Sequence, residues 1–85
     1  MEASKVRDEL KAYIRTNLLH DPAYPLADDE PLITAGLMDS FSLAQIAVFI
    51  ETSFGVNLPD NDLTVPNMDT LELIVARVMA GPSGA

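Results

Sequence analysis

Apolar side chains recur every three or four residues in three separate stretches of the chain. In the first stretch, residues 3–19, the members of this stripe are Val6, Leu10, Tyr13, Ile14 and Leu18. Such spacing is typical of an amphipathic helix that turns one face toward a core. Ser4 is a possible cap for this helix. Asp21-Pro22 ends it, because the residue before a proline disfavours the helical conformation.

The second stretch, residues 40–53, predicts a helix with two apolar stripes. The core stripe is Leu43, Ile46, Ala47, Ile50 and Phe54. The second stripe is Phe41, Ala44 and Val48, centred roughly 130° away around the helix axis. One face cannot bury both stripes, so the second stripe is either covered by another element or exposed. An exposed apolar patch tends to be a contact site. The alternative is that Phe41 folds under a neighbouring loop.

The third stretch follows a glycine, Gly55, that suits the end of the second helix. Residues 59–64 favour one short helical turn, and Val65-Pro66 should stop it. Asn67 or Asp69 should cap a last helix that runs to Met79. Its core stripe is Leu71, Ile74, Val75 and Val78.

A long loop from Asp21 to Asp39 joins the first two helices. Apolar residues within it should pin it across the helix ends, and these are Leu26, Leu32, Ile33 and Leu37. The acidic run Asp28-Asp29-Glu30 is better explained as a solvated loop than as a calcium site, since it lacks further placed oxygens. The pattern predicts an all-α four-helix bundle with three longer helices and one short one. We expect one domain over residues 1–80 and a disordered tail over residues 81–85.

Composition excludes several classes of function. The 85 residues include no cysteine and one histidine, and the net charge is −8. A negative field repels phosphate backbones, so nucleic-acid binding is disfavoured. No apolar run approaches the roughly 18 residues of a membrane span, so we expect a cytoplasmic protein that does not insert in membranes. An enzyme is disfavoured too, because His20 lies far from Ser40 in sequence and a serine nucleophile needs an adjacent base.

A candidate site lies where the long loop meets the second helix, in the sequence Gly36-Leu37-Met38-Asp39-Ser40. Aspartate and serine are favoured helix caps, so Ser40 should begin the helix with its hydroxyl near the surface. A phosphate on Ser40 would lie at the positive end of the helix dipole, near unpaired N–H donors. On these residues alone, a simple capping role remains the alternative.

Three segments resemble the acyl carrier and peptidyl carrier protein family. Gly36–Leu43 is similar to the family's phosphopantetheine attachment motif, in which Asp-Ser follows a glycine and two variable residues. Phe54–Pro59 resembles the segment that closes the family's second helix, and Asn67–Leu71 resembles the start of its last helix. The resemblance extends from about residue 6 to residue 78.

The resemblance implies a non-catalytic carrier. A phosphopantetheinyl transferase would move the 4′-phosphopantetheine arm of coenzyme A onto Ser40, and Asp39 would support this step. An acyl or aminoacyl group would ride on the arm as a thioester. A ligase or transferase would load it, and biosynthetic enzymes would receive it. We expect a monomer.

The chain departs from the carriers of fatty-acid synthesis, which usually have several acidic residues along the second helix. Here only Glu51 is acidic, so partner docking should depend on Phe41, Ala44 and Val48, with Glu51 beside them. This favours a free-standing carrier of secondary metabolism, of the polyketide or nonribosomal peptide type, although an excised domain is an alternative. Acyl and aminoacyl cargo both remain open. The competing class is an unmodified helical interaction module, to which Ser40 would be indifferent.

Overall fold

Four helices build the fold. The structure is a computed structural model of the chain and describes residues 2–81. The helices are α1 (Ala3–Tyr13), α2 (Ser40–Phe54), α3 (Val65–Met68) and α4 (Leu71–Met79). No strand occurs among the described residues, so the predicted all-α fold with three longer helices and one short helix is confirmed. Most of the predicted disordered tail, residues 82–85, lies outside the described residues.

A π-helical segment, which is wound more widely than an α-helix, extends α1. The π-helical segment Ile14–Leu18 continues the helix almost to the predicted end. The chain then leaves the helix at His20, whose backbone takes the left-handed conformation with φ 55°. The Asp21 N–H donates to the Arg15 carbonyl at 2.8 Å, so the helix ends through this turn before Pro22 is reached. Ser4 lies inside α1 and is not its cap, since the helix begins after Glu2.

The segment after α2 differs from the predicted one. Gly55 ends α2 in the left-handed conformation, with φ 71°, as expected. The predicted stop at Val65-Pro66 is wrong, because these residues open α3. Proline is well tolerated in a first helical turn, where its missing N–H would have no partner. The cap of α4 is Thr70, whose Oγ1 accepts the Leu73 N–H at 3.1 Å, and neither Asn67 nor Asp69 has this role.

The core joins all four helices and the long loop. Nine of the fourteen residues that the helical pattern turns toward the core are buried. The other five are half-buried, and they are Tyr13, Leu18, Ala47, Phe54 and Val75. The loop residues Leu26 and Leu32 are buried as expected, with Ile33 and Leu37 half-buried. Core residues that the pattern did not assign are Met38, Val56, Leu58 and Met68.

Asp28 fastens the long loop to two helices. Its carboxylate accepts the Arg7 Nε hydrogen bond from α1, with nitrogen–oxygen distances of 2.9 and 3.1 Å. Its backbone carbonyl accepts the Glu72 N–H from α4 at 2.9 Å. Asp28 therefore holds the loop across the neighbouring ends of α1 and α4. Within residues 2–81 no three His, Asp or Glu side chains are grouped to bind a metal ion.

None of the helices described here combines the length and the apolar character that crossing a membrane requires.

Candidate functional site

Asp39 caps α2 and Ser40 is the first residue of that helix. The backbone of Asp39 is extended, with φ −125° and ψ −172°, so its side chain can turn back over the first helical turn. Its Oδ1 accepts the Ser42 N–H at 2.9 Å and the Ser42 hydroxyl at 3.1 Å. The Ser42 N–H lowers the pKa of Asp39 below its usual value, and the Ser42 hydroxyl adds to this effect. Asp39 is thus a carboxylate at neutral pH.

Ser40 is exposed at this junction. Its hydroxyl takes part in no hydrogen bond between side chains or to backbone among residues 2–81, whereas the hydroxyl of Ser42, two residues on, is held by Asp39. The Ser40 hydroxyl can therefore be approached and modified without breaking an interaction that holds the fold.

The environment for an anion at Ser40 differs from the one expected. The prediction placed a phosphate near unpaired N–H donors of the first turn. The Ser42 N–H is already bound to the Asp39 carboxylate, so it is not available as such a donor. The capping carboxylate is itself an anion at the positive end of the helix.

A hollow of about 330 Å³ begins beside Ser40. It is lined by residues of α2 and of the short 3-10 turn Asp60–Asp62 with the residue that follows it. These residues are Ser40, Leu43, Ala44, Asp60 and Leu63. The residues present fit a slender arm attached at Ser40, because Ser40 lines this partly apolar hollow and its hydroxyl has no hydrogen-bond partner among residues 2–81.

The second stripe of α2 is exposed. Phe41 is 71% exposed and Val48 is 63% exposed, and Ala44 lies between them in the exposed class. The alternative in which Phe41 folds under the long loop is therefore wrong. Glu51 continues the same face one turn further on, since residues three and four apart share a helix face. Its Oε2 accepts a hydrogen bond from Asn57 Nδ2 at 3.0 Å.

The residue that sequence reasoning missed at this site is Asp69. Its Oδ1 accepts the N–H groups of Ile33 and Thr34 at 2.8 and 3.0 Å, and its Oδ2 accepts the Thr34 hydroxyl at 2.9 Å. The pKa of Asp69 is lowered, first of all by the Thr34 N–H. No local pattern predicts these bonds, because Asp69 is separated from its partners by more than thirty residues. The sequence indicated Asp69 only as a possible cap of the last helix.

A comparison of the chain with protein-family models finds no matching family, and a comparison with curated proteins finds no match.

Proposed function

We propose that the chain is an acyl or aminoacyl carrier whose Ser40 bears a 4′-phosphopantetheine arm. One observation carries the proposal. Ser40 is an exposed serine with an unengaged hydroxyl at the first residue of a capped helix, inside a segment that resembles the family's attachment motif. A serine with only a structural role at a helix start is normally the cap itself, and here Asp39 has that role.

The modification is a phosphoryl transfer from coenzyme A. A bond forms between Ser40 Oγ and the phosphorus that carries pantetheine. The bond from that phosphorus to the oxygen of the adenosine bisphosphate breaks, and the hydroxyl proton leaves with a base or solvent. The arm supplies the thiol for thioester chemistry, which the chain, having no cysteine, cannot supply. Asp39 keeps its charge at the residue directly before Ser40, where it can orient the transferase or its metal ion.

The second stripe and Glu51 form the proposed docking face for the enzymes that load and unload the arm. Phe41 lies directly after Ser40, so an enzyme that reaches the arm also reaches this side chain. Tethering the cargo makes its encounter with each enzyme local, at a high effective concentration. The scarcity of acidic residues on α2 favours partners in secondary metabolism, of the polyketide or nonribosomal peptide type.

Intact mass spectrometry tests the modification. After incubation with coenzyme A and a broad-specificity phosphopantetheinyl transferase, the wild-type chain should gain the mass of one phosphopantetheine group. Ser40→Ala should gain none. Ser53→Ala is the matched control, since Ser53 is an exposed serine on the same helix, and it should be modified like the wild type.

The second candidate function is an unmodified helical interaction module. The exposed side chains of Phe41 and Val48 favour it as much as they favour a carrier. A wild-type chain that stays unmodified, under conditions that modify a control carrier, would support this candidate and exclude the carrier.

A further inference from the structure

A closed turn precedes the site. The carbonyl of Leu32 accepts the N–H groups of Leu37 and Met38 at 2.8 and 3.0 Å. Inside this loop the Gly36 N–H donates to the Ile33 carbonyl at 3.0 Å. The turn 32–38 is therefore a compact unit that ends one residue before Asp39. Its tip, Thr34 to Gly36, is exposed.

Asp69 lies outside this turn and holds it in place through hydrogen bonds. Besides the three bonds to its carboxylate, its backbone carbonyl accepts the Leu32 N–H at 2.7 Å. Asp69 lies between α3 and α4, so it connects the turn to the part of the bundle that follows α2. Leu32 and Met38 are buried and hold the two ends of the turn by packing. The tip between them has only Asp69 as a polar anchor outside the turn among the described residues.

We propose that Asp69 is a positioning residue for the modification of Ser40. By fixing the tip of turn 32–38, it presents an ordered surface next to Ser40 to the transferase. This inference rests on the proposed function. The exposed tip lies four to six residues before Ser40, so it offers a transferase a second contact surface besides the docking face on α2. Without the Asp69 carboxylate, the Ile33 and Thr34 N–H groups lose their acceptor. The tip then becomes ordered only when the transferase binds. That ordering opposes binding through lost conformational entropy.

The effect should fall on recognition, not on the chemical step. Asp69 touches neither Ser40 nor its cap in the described hydrogen bonds, so the reacting hydroxyl keeps its surroundings when Asp69 is changed. We therefore expect a higher KM of the transferase for the carrier, with little change in kcat. A residue that served only stability would raise KM only in proportion to the unfolded fraction of the carrier, so KM is compared for the folded concentration of each variant.

The test compares Asp69→Ala, Asp69→Asn and Val78→Ala as substrates of one transferase. Asp69→Ala should raise KM about tenfold and leave kcat within about twofold, the range for losing charge-assisted hydrogen bonds that order a binding surface. Asp69→Asn should recover most of the loss, since its amide oxygen can still accept the Ile33 and Thr34 N–H groups. Val78→Ala is the stability control, because Val78 is buried at the opposite end of α4.

Hydrogen exchange supplies a readout independent of modification. The Ile33 and Thr34 amides should exchange faster in Asp69→Ala than in the wild type, while amides in the middle of α2 should not. The inference is overturned if Asp69→Ala keeps the wild-type KM, or if Val78→Ala raises KM equally. An unmodified wild-type chain overturns the proposed function, and this inference with it. A modified wild type with a normal KM for Asp69→Ala overturns this inference alone.

Discussion

Asp39 combines two roles that a single substitution can separate. It caps α2 through the Ser42 N–H, and it places a negative charge beside Ser40. Asparagine caps helices about as well as aspartate but carries no charge.

We predict that Asp39→Ala lowers the free energy of unfolding by about 1 kcal/mol, the usual loss of a cap. Asp39→Asn should stay within about 0.5 kcal/mol of the wild type. If the charge orients the transferase, Asp39→Asn should nevertheless be modified more slowly. Chemical denaturation and the initial rate of phosphopantetheine transfer measure the two roles. An asparagine variant modified at the wild-type rate would reduce Asp39 to a cap.

At the residue scale, the sequence predicted where Asp39 and Ser40 lie better than it predicted what they touch. The exposure of Ser40 and the involvement of Asp39 follow from the cap preference of Asp-Ser before an apolar run. The sequence did not predict that the Ser42 N–H would be unavailable to an anion, because this depends on which way the Asp39 carboxylate turns. The bonds of Asp69 depend on contacts distant in sequence.

Among the elements, α2 is the one on which the proposed function depends. Its second stripe is exposed along the helix that starts at Ser40, while its other stripe forms the core. A helix with apolar side chains on all sides is usually buried, whereas the described residues cover only one side of α2. The uncovered apolar side is therefore a candidate contact surface.

We predict that Phe41→Ala and Val48→Ala leave the free energy of unfolding within about 0.5 kcal/mol of the wild type, since both residues are exposed. Loading by the cognate ligase or transferase should fall about fivefold or more, because truncated apolar anchors at interfaces often lose over 1 kcal/mol of binding. Added salt should change loading little, since apolar contact is not screened.

The control for this prediction is Leu73→Ala. Leu73 is 36% exposed, but it lies on α4 and not on the second stripe. The Leu73→Ala variant should be loaded at the wild-type rate. Strong destabilisation of Phe41→Ala or Val48→Ala, with normal loading for each folded molecule, would show that the stripe is structural. Docking would then belong to the loop before Asp39 or to the acidic residues around Asp60.

Short elements were harder to predict than long ones. The apolar period of α2 extends over 15 residues, which is enough to define its phase and its end at Gly55. Helix α3 has four residues and shows no period, so Val65-Pro66 was interpreted as a stop. Thr70 caps α4 although aspartate is the better cap type, because the Asp69 carboxylate is hydrogen-bonded to the long loop.

The whole molecule depends on one small core. Its helical part was predictable because it repeats with the helical period. Met38, Val56 and Leu58 lie in extended or irregular segments, where a single apolar residue gives no periodic signal. The contact of Arg7 with Asp28 across the loop likewise has no signature in sequence.

We predict that Ile50→Ala lowers the free energy of unfolding by about 2–5 kcal/mol, since Ile50 is fully buried on the core stripe. A domain of this size has about 5–10 kcal/mol to lose, so the melting temperature should fall clearly. Val48→Ala is the matched control two positions away on the exposed side of the same helix. Equal melting temperatures for the two variants would contradict the assignment of the two faces of α2.

The most direct measurement for the molecule as a whole is the position of the modification along the chain. After reaction with coenzyme A and the transferase, the wild-type chain is digested, and fragment masses locate the added group. We predict one phosphopantetheine group per chain, on Ser40 and on no other serine or threonine. An adduct on Ser42 or Ser53, or no adduct while a control carrier is modified in the same reaction, would contradict the assignment of the chain as a carrier that uses Ser40.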